Sequence, residues 1–176
     1  MAKQKPSINK DIEVKGIKIH YEYYGRKDSP VVVINNGVAM ETTSWYYFLP
    51  PILEKVDVLL WDFRGQGQSS CDDNLYQVED LADYLKAILE DLEVDPKWVH
   101  LVGISFGSLV VTEFLRKYPQ MVHKAVLSGV ILSNERNYQY QIELGKKIIE
   151  QGFMDIWADS LYAGLFSDNF LKTIES

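Results

Sequence analysis

The chain has 176 residues, 47 % apolar and 24 % charged, which suits one packed domain and is too apolar for a disordered chain. Its net charge of −7 argues against a nucleic-acid partner, which needs a basic face, and its single cysteine, Cys71, excludes an intrachain disulfide framework. No apolar run reaches the roughly 18–20 residues that cross a membrane. The segment MAKQKPSINK has charge but no apolar signal-like stretch, so a cytoplasmic protein without a membrane partner is expected.

Alternating apolar residues through Ile12, Val14, Ile17, Ile19 and Tyr21 predict a leading antiparallel hairpin turning near Gly16. VVVIN (31–35) is a β-branched run suited to a strand buried on both faces. A short helix is expected from Ser44 to Leu49, stopped by Pro50-Pro51. VDVLLWDF (56–63) is a second buried strand, running into the glycine-rich RGQGQSS. Val78, Leu81, Leu85, Ile88, Leu89 and Leu92 recur at helical spacing. WVHLVGI (98–104) is a third buried strand, Phe106 to Tyr118 is helical up to Pro119, and KAVLSGV (124–130) is a fourth buried strand. From Ser133 onward the pattern is helical and aromatic. Strands alternating with helices predict an α/β fold: a mostly parallel sheet, made mixed by the hairpin, with helices on both faces.

Charge is unevenly placed: residues 1–27 carry seven Lys/Arg against three Asp/Glu, while 72–95 carry nine acids against Lys86 alone. Both stretches read as solvated faces.

Three segments carry chemistry. In Gly103-Ile104-Ser105-Phe106-Gly107, a serine sits where a buried strand gives way to a helix. A tight turn there projects Ser105 from strained backbone, and Gly103 and Gly107 leave room for strand and helix to approach. The helix start offers unpaired N–H groups to an oxyanion. Asp62-Phe63-Arg64-Gly65-Gln66-Gly67-Gln68-Ser69 follows the second strand and reads as an architectural turn pinned by an Asp–Arg pair. Asn35-Asn36-Gly37-Val38 follows the first buried strand, where a glycine lets the backbone aim the Val38 N–H at a reacting carbonyl.

In this order and spacing, the three segments resemble the α/β-hydrolase superfamily, in its branch of small esterases, enol-lactonases and haloperoxidase-like enzymes. The resemblance runs from about residue 12 to 132, the N-terminal part of the core, while 133–176 resembles the start of the helical cap more loosely. It implies Ser105 as nucleophile, backbone N–H groups of Val38 and Phe106 as oxyanion hole, and an ester, thioester or lactone of a small molecule as substrate. Relatives with aspartate at the nucleophile position are dehalogenases or epoxide hydrolases.

Two departures stand out. Asn36-Gly37 replaces the usual His-Gly. No histidine follows His123, although the family order is nucleophile, acid, histidine. His20 lies in the hairpin, His100 about 16 Å up its strand from Ser105, and His123 at the amino end of the next strand. Glu135 reads as a helix-start carboxylate with no histidine to orient. The chain is therefore expected to stop inside the cap, lacking its last strands and catalysing weakly or not at all alone. Its open apolar edge implies a longer parent protein, or self-association, or a second chain covering it. Acyl transfer on the same nucleophile and a non-catalytic binding module stay open as alternatives. With no metal-ligand spacing and no dinucleotide loop, no cofactor is expected.

Overall fold

A computed structural model describes residues 4–130 and 136–174. The chain divides into two compact units, Met1–Ile131 and Leu132–Ser176.

The first unit holds a six-stranded sheet of order β1-β2-β4-β3-β5-β6. Strands β1 (Ile8–Val14) and β2 (Ile17–Tyr24) form the hairpin, turning through Lys15 and Gly16, whose φ values are 52° and 77°. Two central residues with positive φ match the strands' right-handed twist. β2 runs antiparallel to β4 (Asp57–Trp61), pairing Tyr21 with Trp61. β3 (Val31–Asn35) lies between β4 and β5 (Val99–Ile104), parallel to both, and β6 (Lys124–Ser128) adds parallel to β5. The mixed α/β sheet is thus as the sequence predicts.

Side chains of a strand alternate between faces. Val31, Val33, Leu59 and Trp61 enter the larger core, where helices α2 (Val78–Leu92) and α3 (Phe106–Lys117) bring Leu81, Leu85, Ile88, Val110 and Phe114. Ile34, Val58 and Leu60 enter the smaller core with Leu49. Each fully buried Leu or Ile contributes about 1.5–3 kcal/mol relative to exposure, so this two-sided burial makes the central strands continuous apolar runs.

Two expectations need correction. Pro50-Pro51 does not stop a helix: a 3₁₀ turn spans Thr42–Trp45, and helix α1 (Leu49–Leu53) contains both prolines in its first turn. An amide N–H has no intrahelical partner there, and proline's fixed φ is already helical. β6 is not a buried strand either, but it does form the open apolar edge that the sequence predicts. Every residue of it is exposed, including Val126 at 59 % and Leu127 at 41 %, because β5 flanks it on one side only.

The basic and acidic stretches face each other rather than solvent alone. Lys10 pairs with Asp91 at 2.7 Å and Lys15 with Asp83 at 2.8 Å, joining β1 to the acidic face of α2. Lys117 of α3 reaches the same Asp83.

The second unit consists of α4 (Arg136–Glu150), α5 (Met154–Leu165) and α6 (Asp168–Ile174). A cavity of about 420 Å³ lies between α4 and α5, lined by Leu144, Ile148, Trp157 and Leu161 among others. No helix among the described residues is long and apolar enough to cross a membrane.

Candidate active site

Topology locates the crevice. The chain leaves β3 towards β4 on one side, then crosses so that β5 and β6 lie on the other. Where connections diverge in this way, a cleft opens at the carboxyl ends of the strands. The loops after β3 and β5 border it, and these carry Gly37-Val38 and Ser105.

Ser105 caps α3 with φ 52° and ψ −117°, a conformation that costs a non-glycine residue about 1–3 kcal/mol. Its N–H donates to Ser128 O at 2.8 Å, tying the turn to the end of β6. The buried Ser108 Oγ lies 2.8 Å from Gly103 O and 3.0 Å from Ser128 O. Gly103 and Gly107 make the close approach feasible. A Cβ at Gly103 would stand 2.6 Å from Ser108 Cα, and one at Gly107 only 2.0 Å from Asn35 O.

The same packing brings the β3 loop to the serine. A Cβ at Gly37 would lie 3.8 Å from the Ser105 Cβ. Val38 follows, 57 % exposed, and Ala39 has φ 60°. Phe106 opens α3, so its N–H belongs to the first turn, where helix donors lack helical acceptors.

The Asp62–Arg64 pair does not form. Buried Asp62 accepts backbone N–H bonds from Thr42 at 2.7 Å and Gln68 at 2.8 Å, holding the two loops together. Burial raises its pKa, and these two donors offset that only in part. Arg64 instead binds Asp72 and Asn74 O and lies over the Tyr76 ring. A guanidinium needs several acceptors, which the 72–76 loop supplies and a lone buried carboxylate does not.

Beside Asp62 lies a polar cluster that periodicity does not show. Glu22, 2 % exposed on β2, accepts from Tyr24 Oη and Tyr46 Oη at 2.7 Å each and from Asn9 at 3.1 Å. Burial opposes its ionisation, yet bonds from His20, Tyr24 and Tyr46 outweigh burial and lower its pKa. The Tyr46 hydroxyl, half-buried and facing this carboxylate, is pushed up to about 12. The signal in the sequence is a lone acid between aromatics, Tyr21-Glu22-Tyr23.

Among the described residues, none of the three histidines is hydrogen-bonded to Ser105. His20, also 2 % exposed, has Nδ1 at 2.7 Å from Asp11 and Nε2 at 2.9 Å from the Gln68 amide nitrogen. His100 and His123 stack edge-on, ring centroids 5.3 Å apart, at the amino end of β5 and β6. Burial, then His123 and Lys124, lowers the His100 pKa. Glu135 lies outside the described residues. Cys71 is exposed, and no three potential metal-ligating side chains gather among the described residues.

Burial works against protonating His20, but the carboxylates of Glu22 and Asp11 outweigh it and raise the pKa above the ordinary 6.5. A raised folded value means that the stabilisation is complete below the unfolded pKa and is lost as pH rises through the folded one. Urea unfolding from about pH 6 to about pH 8.5 should therefore show wild type losing stability relative to His20→Gln. Parallel pH curves would remove the assignment.

Residues 30–160 match the family model of the alpha/beta hydrolase fold. The chain belongs to this α/β-hydrolase family. It is 30 % identical over 139 residues to pyrrolizixenacetamide deacetylase of Xenorhabdus hominickii, covering 78 % of this chain and 51 % of that protein. Against 3-oxoadipate enol-lactonase 2 of Acinetobacter baylyi the identity is 22 % over 158 residues, covering 89 % and 57 %. The crystal structure of MGS-M2, an α/β-hydrolase enzyme from a Medee basin deep-sea metagenome library, superposes with a TM-score of 0.85 at 26 % identity. That match covers 94 % of this chain and 60 % of the other. The chain spans about half the length of the curated relatives it matches.

Proposed function

We propose that this α/β-hydrolase chain carries the nucleophile half of an enzyme that hydrolyses small-molecule esters, thioesters or lactones. Ser105 Oγ would attack the acyl carbonyl, passing its proton to a base, while the N–H groups of Val38 and Phe106 receive the charge forming on the carbonyl oxygen. Collapse expels the alcohol, thiol or lactone oxygen, which takes up that proton, and water then releases the acyl group. The observation that carries this reading is Ser105 itself: a strained residue at a strand-to-helix turn, with Gly37 against it. A deacetylase and an enol-lactonase among the relatives support acyl chemistry. Since His20, His100 and His123 are engaged with other partners, the reading requires a base that none of them supplies. Residues 133–176 would be the start of a helical cap. Acyl transfer to another acceptor would use the same nucleophile.

The placement of the histidines favours a second reading, a binding module on a hydrolase scaffold. Peptide mapping after exposure to p-nitrophenyl acetate separates the two. Acetyl on Ser105, absent from Ser105→Ala, is expected; acetyl only on lysines would leave the binding module.

A further inference from the structure

The geometry points to Asn36 as a positioning residue: gripped between the Trp61 carbonyl and the Trp45 indole, it holds the Gly37-Val38 backbone against Ser105. This inference rests on the nucleophile reading above. Asn36 is 1 % exposed, and both ends of its amide are used. Nδ2 donates to Trp61 O at 3.1 Å, at the end of β4, and Oδ1 accepts from Trp45 Nε1 at 2.7 Å, in the 3₁₀ turn. An indole N–H only donates and a carbonyl only accepts, so the pair dictates which way the amide faces.

Its main chain is pinned as well. The Asn36 carbonyl oxygen lies 2.6 Å from where a Gly107 Cβ would stand, wedged against the first turn of α3. Asn36 thus touches β4, the 3₁₀ turn and the nucleophile helix, and the next residue is the glycine beside Ser105. Downstream, the loop is held again at Thr42 by Asp62 and at Tyr46 by Glu22. Val38 lies between these anchors and is exposed, so Asn36 is the upstream tether of its N–H. An apolar residue at position 36 would leave Trp61 O and Trp45 Nε1 without partners, a cost normally avoided in a buried site.

Trp45→Phe is the informative variant because it deletes one N–H and keeps an aromatic ring. With a p-nitrophenyl ester and a form of the protein that supplies the general base, Trp45→Phe and Asn36→Ala should each lower kcat about 10-fold or more, with KM within about two-fold, since a misplaced donor weakens only the transition state. The double variant should be no worse than Asn36→Ala, because the two side chains act as one unit.

A second readout needs no turnover. An alkylboronic acid adds to Ser105 Oγ, forming an O–B bond as the hydroxyl proton goes to solvent. In wild type it should shift the amide NMR signals of Val38 and Phe106, whereas in Trp45→Phe the Phe106 shift stays and most of the Val38 shift is lost. A variant with wild-type kcat and both shifts, altered only in its unfolding midpoint, overturns the positioning role. A wild-type Ser105 that takes up no boronate and can become alanine without loss of turnover overturns the nucleophile reading instead.

Discussion

Ser105→Ala, in a form of the protein that supplies the general base, is expected to lower ester turnover at least about 10³-fold while leaving KM within about two-fold, because the proposed oxyanion donors and the surrounding loops stay in place. Burst and steady-state kinetics with a p-nitrophenyl ester would measure it, and retention of more than a tenth of the wild-type rate would remove Ser105 from the mechanism. Stability provides an independent signature. Alanine at φ 52° is as strained as serine, so Ser105→Ala should unfold at nearly the wild-type urea midpoint. Ser105→Gly releases that strain, worth about 1–3 kcal/mol, against roughly 0.5–1 kcal/mol of added chain entropy. The glycine variant should thus be equally inactive and more stable by about 1 kcal/mol. A nucleophile that can be exchanged for greater stability is what a strained turn requires; an ordinary surface serine would show neither effect.

Gly107→Ala is expected to unfold the first unit or destabilise it by more than about 3 kcal/mol, in the range reserved for severe backbone or core lesions. The new methyl would sit 2.0 Å from Asn35 O and 2.6 Å from Asn36 O, both main-chain atoms of the β3 terminus, so no rotamer change relieves the contact. Helix α3 would have to lift away from the sheet, uncovering Val110, Val111 and Phe114. Gly164→Ala is the control. It lies in α5 with nothing within 4 Å of a Cβ, and should be neutral or stabilising by about 0.5–1 kcal/mol. Soluble yield and urea midpoints of the two variants decide the matter. A folded Gly107→Ala protein with a near-native midpoint would show that α3 is not seated as closely as the contact demands.

How far the fold was legible follows from which forces are local. β-branched runs at 31–35 and 98–104 became central strands, and the 3.6-residue spacing of Leu81, Leu85, Ile88 and Leu92 became the buried face of α2, because alternation and helical period are properties of the chain itself. KAVLSGV failed as a buried strand for a different reason. Its composition suits a sheet centre, but burial depends on neighbours, and β6 has one. Pro50-Pro51 shows the same limit: proline's fixed φ both stops helices and starts them, and the residues around it decided which.

At the site, the serine turn and its two glycines were visible because strand, serine and helix are contiguous. What joins the loops was not. Asp62 looked like a partner for Arg64 two residues away, yet it binds backbone N–H groups of Thr42 and Gln68. Glu22 and His20 are neighbours on β2, but Tyr46 reaches Glu22 from 24 positions away.

Residue type and order alone set the α/β alternation, the serine at the strand-to-helix turn and the lack of a histidine between His123 and Ser176. It took the folded chain to show that Asn36 is clamped between Trp61 and Trp45, that Lys10 and Lys15 pair with Asp91 and Asp83 of the acidic stretch, and that the histidines are engaged by Asp11, Gln68 and each other rather than by Ser105. Hydrogen bonds and ion pairs act over a few ångströms of space between residues nine to 81 positions apart, a separation that no local pattern encodes.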